Sequence, residues 1–397
     1  MVKTAVGRPT AKSQKPTKST RVRLGELFRA ESSVFYLIAG STMALVVFGL
    51  IMVMDSSSVT SHLDGEGFTG LFLKQLLFAV LGIPLMLVMS RLPLTFWKKS
   101  GRKIFMVVAA SQLLVFVPGL GVSRGGNTNW IHLFGFTVQP SELIKVMLAI
   151  FLGIAFPVSM ARAGNTWRAL APLGATLIVG GLVIIGGDLG TVFIFILISF
   201  GGMLFAGMSV RNMLIPVAGG FAAVAVLAVF SSSRVARIVS FYTNACVTDE
   251  GDCWQPIHGA WAMARGGIFG VGFGNSRMKW SWLPAADNDY IFAIIGEELG
   301  LIGCVVMLGL FVVLAIALLR VIREATDPFI RITTGGILFW FVGQAFLNVA
   351  VVLNLIPVLG LPIPFVSSGG TSLLSSLAAT GVVLSFARHN ERTGMSR

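Results

Sequence analysis

Apolar residues dominate this chain in long runs rather than in amphipathic stripes. Runs of about 20 residues, enough to cross a hydrocarbon core as a helix, fall at 34–54, 71–90, 104–120, 142–160, 169–186, 189–208, 212–230, 290–319, 332–354 and 364–387. The fourth and fifth are interrupted by Pro and Gly. The pattern predicts an all-α membrane protein, a polytopic bundle of about ten transmembrane helices. One connection is long, from Ser231 to about Asp289, and the others are short.

Composition supports this. Of 397 residues, 55% are hydrophobic and 12% charged, too few charges to cover a soluble domain of this length. The net charge of +13 raises nucleic acid as a partner, but its placement points to a membrane instead. With the N-terminus inside, most of the 30 Lys and Arg fall in the tail or in inside loops, among them Lys98, Lys99, Arg102, Lys103, Arg162, Arg168, Arg320, Arg323 and Arg331. The positive-inside rule therefore predicts both termini in the cytoplasm and the long 231–289 loop outside. Residues 1–30 read as a disordered basic cytoplasmic tail, 31–388 as the transmembrane domain and 389–397 as a short cytoplasmic tail. The tail is not a secretory signal, because no small-residue cleavage site follows the first apolar run. It can also touch anionic membrane lipid.

The long loop runs against the charge bias. It carries Arg234, Arg237, Arg265, Arg277 and Lys279 beside Asp249, Glu250, Asp252, Asp287 and Asp289. An anionic ligand or internal pairing accounts equally well for its cations. Residues 257–263 read as a short amphipathic helix, and 265–274 are Gly-rich. Cys246 and Cys253 lie in this loop; an oxidising compartment makes a disulfide between them plausible, the alternative being two thiols. Cys304 falls in an apolar span. No clustered Cys and His at ligand spacing suggests a metal.

Four polar motifs interrupt the apolar pattern. The first runs from Leu283 through Asp287, Asn288 and Asp289 into Ile294-Ile295-Gly296-Glu297-Glu298-Leu299-Gly300. Asp289 stands at the mouth of a long apolar helix, as a cap or as a general base beside apolar walls; Asp287 is an alternative cap. Glu297 and Glu298 lie about 12–14 Å deeper, too far for a close carboxylate pair, and read as structural. The second is Gln139-Pro140-Ser141-Glu142-Leu143-Ile144-Lys145, whose Glu142 and Lys145 share a helix face as a structural clamp or a headgroup site. The third, Gly187-Asp188-Leu189-Gly190-Thr191, offers Asp188 as a cap or a site residue. The fourth, Pro362 to Ser372, breaks helix regularity around Ser367 and Gly369; such breaks at membrane depth line cavities or mark packing kinks. There is no phosphate-loop motif or Ser nucleophile elbow, and only four His, which argues against an ATP-driven pump and covalent Ser hydrolysis.

Residues 139–145, 187–191, 266–276, 279–300 and 360–372 together resemble, in the same order, the SEDS family (shape, elongation, division and sporulation proteins). The resemblance covers the chain from about Val34 onward, and Asp-Tyr-Ile-Phe before Ile-Ile-Gly-Glu-Glu-Leu-Gly is closer to the cell-division FtsW branch than to the elongation RodA branch. It implies a peptidoglycan glycosyltransferase that polymerises lipid II at the outer face of the bacterial cytoplasmic membrane. The family's essential aspartate falls on Asp289, implying a general base that activates the acceptor hydroxyl. Arg237, Lys279 and Lys145 become candidates to hold the departing diphosphate, and Glu142 with Lys145 matches the family's polar pair. A class B penicillin-binding transpeptidase and other division proteins are the implied partners. No cofactor is evident, and a divalent cation is left open. Three positions depart from the family pattern: Asn129 where Arg is frequent, Gly186-Gly187 where Gln-Pro is common, and Ser368 where Tyr is usual. A lipid II transporter and a non-catalytic division scaffold are the competing readings.

Overall fold

A computed structural model of the protein describes residues 31–63, 65, 67–124, 127–133, 135–162, 166–229, 235, 239, 241 and 253–394. The chain divides into a unit of 1–31, of which only Glu31 is described, and a unit of 32–397 that holds every element below. The expected basic tail and most of the 231–252 stretch, including Arg237 and Cys246, lie outside the described residues.

The helices are α1 (Ser33–Ser56), α2 (Ser58–Leu63), α3 (Gly70–Arg91), α4 (Leu94–Ser111), α5 (Pro140–Arg162), α6 (Thr166–Ala169), α7 (Leu173–Ile185), α8 (Leu189–Phe205), α9 (Val210–Val229), α10 (Trp254–Gly266), α11 (Ile291–Glu324), α12 (Pro328–Val352) and α13 (Gly370–Gly394). Among the described residues, α1, α3, α5, α11, α12 and α13 are long and apolar enough to span a membrane, and α7 and α8 are shorter apolar helices. With α4 and α9 they follow the order of the ten expected segments. The fold is an all-α membrane bundle. In it α13 packs on α3, α12 on α5 and α8, α11 on α1 and α12, and α4 on α5.

Two features depart from expectation. The third span begins ten residues before its apolar run, because Lys98, Lys99, Arg102 and Lys103 are in α4 rather than in a loop. These side chains are exposed, and long basic stems can cover apolar surface while their heads stay in water. The second is a small antiparallel sheet, β1 (Gly121–Arg124), β2 (Asn127–Leu133) and β3 (Phe136–Val138), in that order. Ile131 faces both Gly121 and Val138 in register. Its Val, Thr, Trp and Ile content between Gly-rich turns is strand chemistry.

The segment before α11 folds back along it. The short helix expected at 257–263 extends over Trp254–Gly266. Beyond it the chain enters a break in α11 at Gly300 (φ 66°, ψ −164°). In an unbroken helix the Leu301 and Ile302 amides would bond the Glu297 and Glu298 carbonyls. Here those amides donate to the oxygens of Gly267 (2.9 Å) and Ile268 (3.3 Å). The freed carbonyls accept from Val271 (2.9 Å) and Gly272 (3.1 Å). The interruption thus leaves these four backbone groups paired at membrane depth, where an unpaired one costs several kcal/mol. A Cβ on Gly266 would lie 1.8 Å from the Gly296 oxygen, so this approach requires glycine.

Candidate active site

Asp289 is half-buried immediately before α11. Tyr290 takes the N-cap position, and its side chain makes no capping bond. The Asp289 backbone oxygen accepts from Asn348 Nδ2 (2.7 Å), which also donates to the Leu361 oxygen (2.6 Å). Its carboxylate faces the connection between α12 and α13, with Oδ2 3.7 Å from where a Gly360 Cβ would stand.

That connection is held to the Asp289 segment by two serines. Ser367 Oγ donates to the Asn288 oxygen (2.8 Å) and accepts from the Ile363 amide (2.8 Å). Ser368 donates twice to Asp287, from its amide to the backbone oxygen (2.9 Å) and from Oγ to the carboxylate (2.5 Å). Asp287 is therefore engaged in fixing the loop. Gln75 of α3 closes the frame, accepting from the Gly369 amide (3.0 Å) and donating to the Ser367 oxygen (3.3 Å).

Glu142 and Lys145 form a buried ion pair at 2.7 Å. Lys145 also donates to Gln344 Oε1 (3.3 Å) and lies over the Trp340 ring, 5.5 Å from its centroid. Trp340 Nε1 donates to the same Gln344 oxygen (2.8 Å), and Gln344 Nε2 donates to the Pro362 oxygen (2.6 Å). The pair thus ties α5 to α12 in this structure. Asp188 likewise caps α8, accepting from the Thr191 amide (2.8 Å) and hydroxyl (2.6 Å), and takes a further bond from Gln139 Nε2 (3.1 Å). Desolvation raises its pKa above the ordinary carboxylate value, while the Thr191 bonds oppose that rise.

Lys279 is paired with two carboxylates in this structure. It is buried, with Nζ 2.7 Å from Asp55 Oδ1 at the end of α1 and 3.1 Å from Glu298 Oε1. Glu298 also accepts from the Gly274 (3.1 Å) and Ser276 (3.0 Å) amides. Glu297 holds Arg265 (2.8 Å), the Ser276 hydroxyl (2.5 Å) and the Arg277 amide (3.1 Å). The paired glutamates thus fasten the 266–279 segment to α11. Cys253 is disulfide-bonded and Cys304 is free. Among the described residues, no group of three His, Cys, Asp or Glu side chains is placed to hold a metal ion.

The residues that join these motifs are Trp340, Gln344 and Asn348, a stripe on α12 at helical spacing. Sequence reasoning passed over them, although two amides four residues apart in an apolar span are a signal. Two departures from the family pattern also meet: Asn129 Nδ2 donates to the Gly186 oxygen (2.9 Å), and a Cβ on Gly186 would lie 2.2 Å from Asn129 Oδ1.

The family model described as cell cycle protein, covering FtsW, RodA and SpoVE, matches residues 35–392. The chain belongs to this family. It is 34% identical over 382 residues to the probable peptidoglycan glycosyltransferase FtsW of Mycobacterium tuberculosis, covering 96% of this chain and 73% of that protein. It is 31% identical over 350 residues to the stage V sporulation protein E of Bacillus subtilis, covering 88% of this chain and 95% of that one. The fold is similar to Thermus thermophilus RodA, with a TM-score of 0.68 at 22% identity over 92% of this chain and 99% of that one. A chain from a peptidoglycan synthase complex that coordinates polymerization and crosslinking gives 0.74 at 22% identity, over 91% and 99%. As a member of the FtsW, RodA and SpoVE family with this helix set, the chain is a multi-pass membrane protein.

Proposed function

We propose that this chain is a peptidoglycan glycosyltransferase of cell division that polymerises lipid II, with Asp289 as general base. The observation that carries the reading is the placement of Asp289. A half-buried carboxylate stands at the mouth of a spanning helix, its backbone held by Asn348 and its side chain turned to the Gly360 loop. The curated relatives named peptidoglycan glycosyltransferase support the same activity.

In this mechanism the acceptor sugar hydroxyl gives its proton to Asp289. Its oxygen forms a bond to the anomeric carbon of the donor, and the bond to the lipid diphosphate breaks. General-base assistance of this kind contributes about 10²–10⁴-fold. The negative charge developing on the diphosphate needs cations. Lys279 and Lys145 are committed to carboxylates, so the role passes to Arg237 and to the exposed Arg277. The basic residues of α4, of the last turns of α11 and of the first turn of α12 support the outer face as the working face, because they lie at the ends of the helices away from Asp289. A class B penicillin-binding transpeptidase is the proposed partner, supported by the similarity to a chain of a synthase complex.

The test is labelled lipid II with the purified chain and its transpeptidase, run with and without a divalent cation. Glycan strands support the reading; lipid movement across vesicles without polymer would replace it with transport.

A further inference from the structure

The C-terminal half of α12 cradles the loop that faces Asp289. Phe341, Gln344 and Asn348 stand at i, i+3 and i+7, on one face of the helix, and each meets that loop. Phe341 packs edge-on against Phe365, with ring centroids 4.9 Å apart. Gln344 Nε2 donates to the Pro362 oxygen (2.6 Å), and Asn348 Nδ2 to the Leu361 oxygen (2.6 Å). Phe365 has a φ of 67°, in the left-handed region that a bulky residue occupies only when its surroundings hold it there. The conformation of the loop therefore depends on these contacts.

Gln344 differs from the other two in what lies behind it. Its Oε1 accepts from Trp340 Nε1 (2.8 Å) and from Lys145 Nζ (3.3 Å), and Lys145 is paired with Glu142 at 2.7 Å. An indole N–H and an ammonium can only donate, and a proline carbonyl can only accept. Turning the amide over would set donor against donor and oxygen against oxygen. The side chain thus has one orientation, with its NH₂ on Pro362. Glu142, Lys145, Trp340 and Gln344 are all buried, where bulk water does not replace a lost partner, and a buried network with its partners in place fixes geometry. We propose that Gln344 is a positioning residue for polymerisation: through it the Glu142–Lys145 pair holds the Pro362 loop in the conformation that faces Asp289. The proposal rests on Asp289 acting as the base. It gives the ion pair a role exerted through the loop rather than by contact with the diphosphate.

Two measurements on the purified full chain test this: polymerisation of labelled lipid II with its transpeptidase, and hydrogen–deuterium exchange, which needs no activity. Gln344→Met keeps the bulk of the side chain and removes both polar ends. It is expected to lower kcat about 10- to 100-fold with KM within about threefold. It is also expected to speed exchange at residues 360–368 but not at 266–279. Gln344→Glu keeps an acceptor for Lys145 and Trp340 and, when ionised, loses the donor for Pro362. Its deficit relative to wild type is expected to shrink as pH falls, because the protonated side chain can donate again. The charged groups around it, Glu142 and Lys145 with Asp188 close to both, are common to the two proteins being compared. Unchanged kcat or unchanged exchange at 360–368 in Gln344→Met overturns the proposal. A raised KM at full kcat also overturns it, by making Gln344 a substrate contact. A Gln344→Glu deficit that is the same at every pH overturns it too, and this variant decides if Gln344→Met does not fold. Faster loop exchange in Gln344→Met beside a wild type that makes no glycan would instead overturn the polymerase reading, and the proposed effect on rate with it, while keeping the link from Gln344 to the loop.

Discussion

Asn348 of α12 donates one side-chain amide to the backbone oxygens of both Asp289 and Leu361, at 2.7 and 2.6 Å. The segment that carries the carboxylate and the loop facing it thus share one anchor on a third element. Asn348→Ala removes both bonds and leaves two carbonyls to find other donors, at a cost of about 1–3 kcal/mol each where they stay dry. A displacement of about 1 Å at a reacting group can cost about 100-fold in rate. The expected outcome is a 10- to 100-fold fall in kcat for polymerisation with a smaller change in KM. Unchanged kcat would separate this anchor from catalysis.

Lys279 gives a prediction opposed to the role that the family resemblance suggests. Its ammonium lies between Asp55 and Glu298 in a buried cluster. Lys279→Met leaves two carboxylates without their cation, which in buried pairs costs about 3–5 kcal/mol. A lowered melting temperature in detergent is expected, partly restored by adding Asp55→Asn. A raised KM for lipid II with unchanged melting would instead make Lys279 a substrate ligand.

The break in α11 is equally specific. Gly300 has a backbone conformation that is essentially glycine-only, worth about 1–3 kcal/mol of strain to other residues. A Cβ there would lie 2.4 Å from both the Gly270 nitrogen and the Ile268 oxygen. Gly300→Ala is expected to release the 267–272 segment, seen as faster trypsin cleavage at Arg265 and Arg277 and lower melting. Wild-type cleavage rates would mean that the segment is held by the glutamates alone.

Much of this architecture is legible in the sequence, for a physical reason. A bilayer demands about 20 apolar residues per crossing, so the spans and their order emerge from run length. The start of α4 does not, because its exposed lysines and Arg102 extend the helix beyond the apolar run. The helix break at Gly300 is hidden for the converse reason: a glycine within an apolar span has no local mark of its backbone angle. The Asp289 segment stands out as polar residues at a helix mouth, whereas its support does not. Lys279 meets Asp55 across 224 residues of sequence, and Ser368 meets Asp287 across 81. Such pairings arise from packing, and no local spacing encodes them.

The two aspartates of the Asp287-Asn288-Asp289 segment provide the most direct measurement. Asp287 accepts from the Ser368 hydroxyl, a bond that an Asn side chain can still accept, so Asp287→Asn is expected to keep polymerisation within about threefold of wild type. Asp289→Asn keeps the backbone bond to Asn348 but cannot take a proton. In a lipid II polymerisation assay of the purified chain with its transpeptidase, it is expected to lose at least about 100-fold in rate at unchanged melting temperature. Glycan strands formed by Asp289→Asn at the wild-type rate would contradict the assignment of Asp289 as the base.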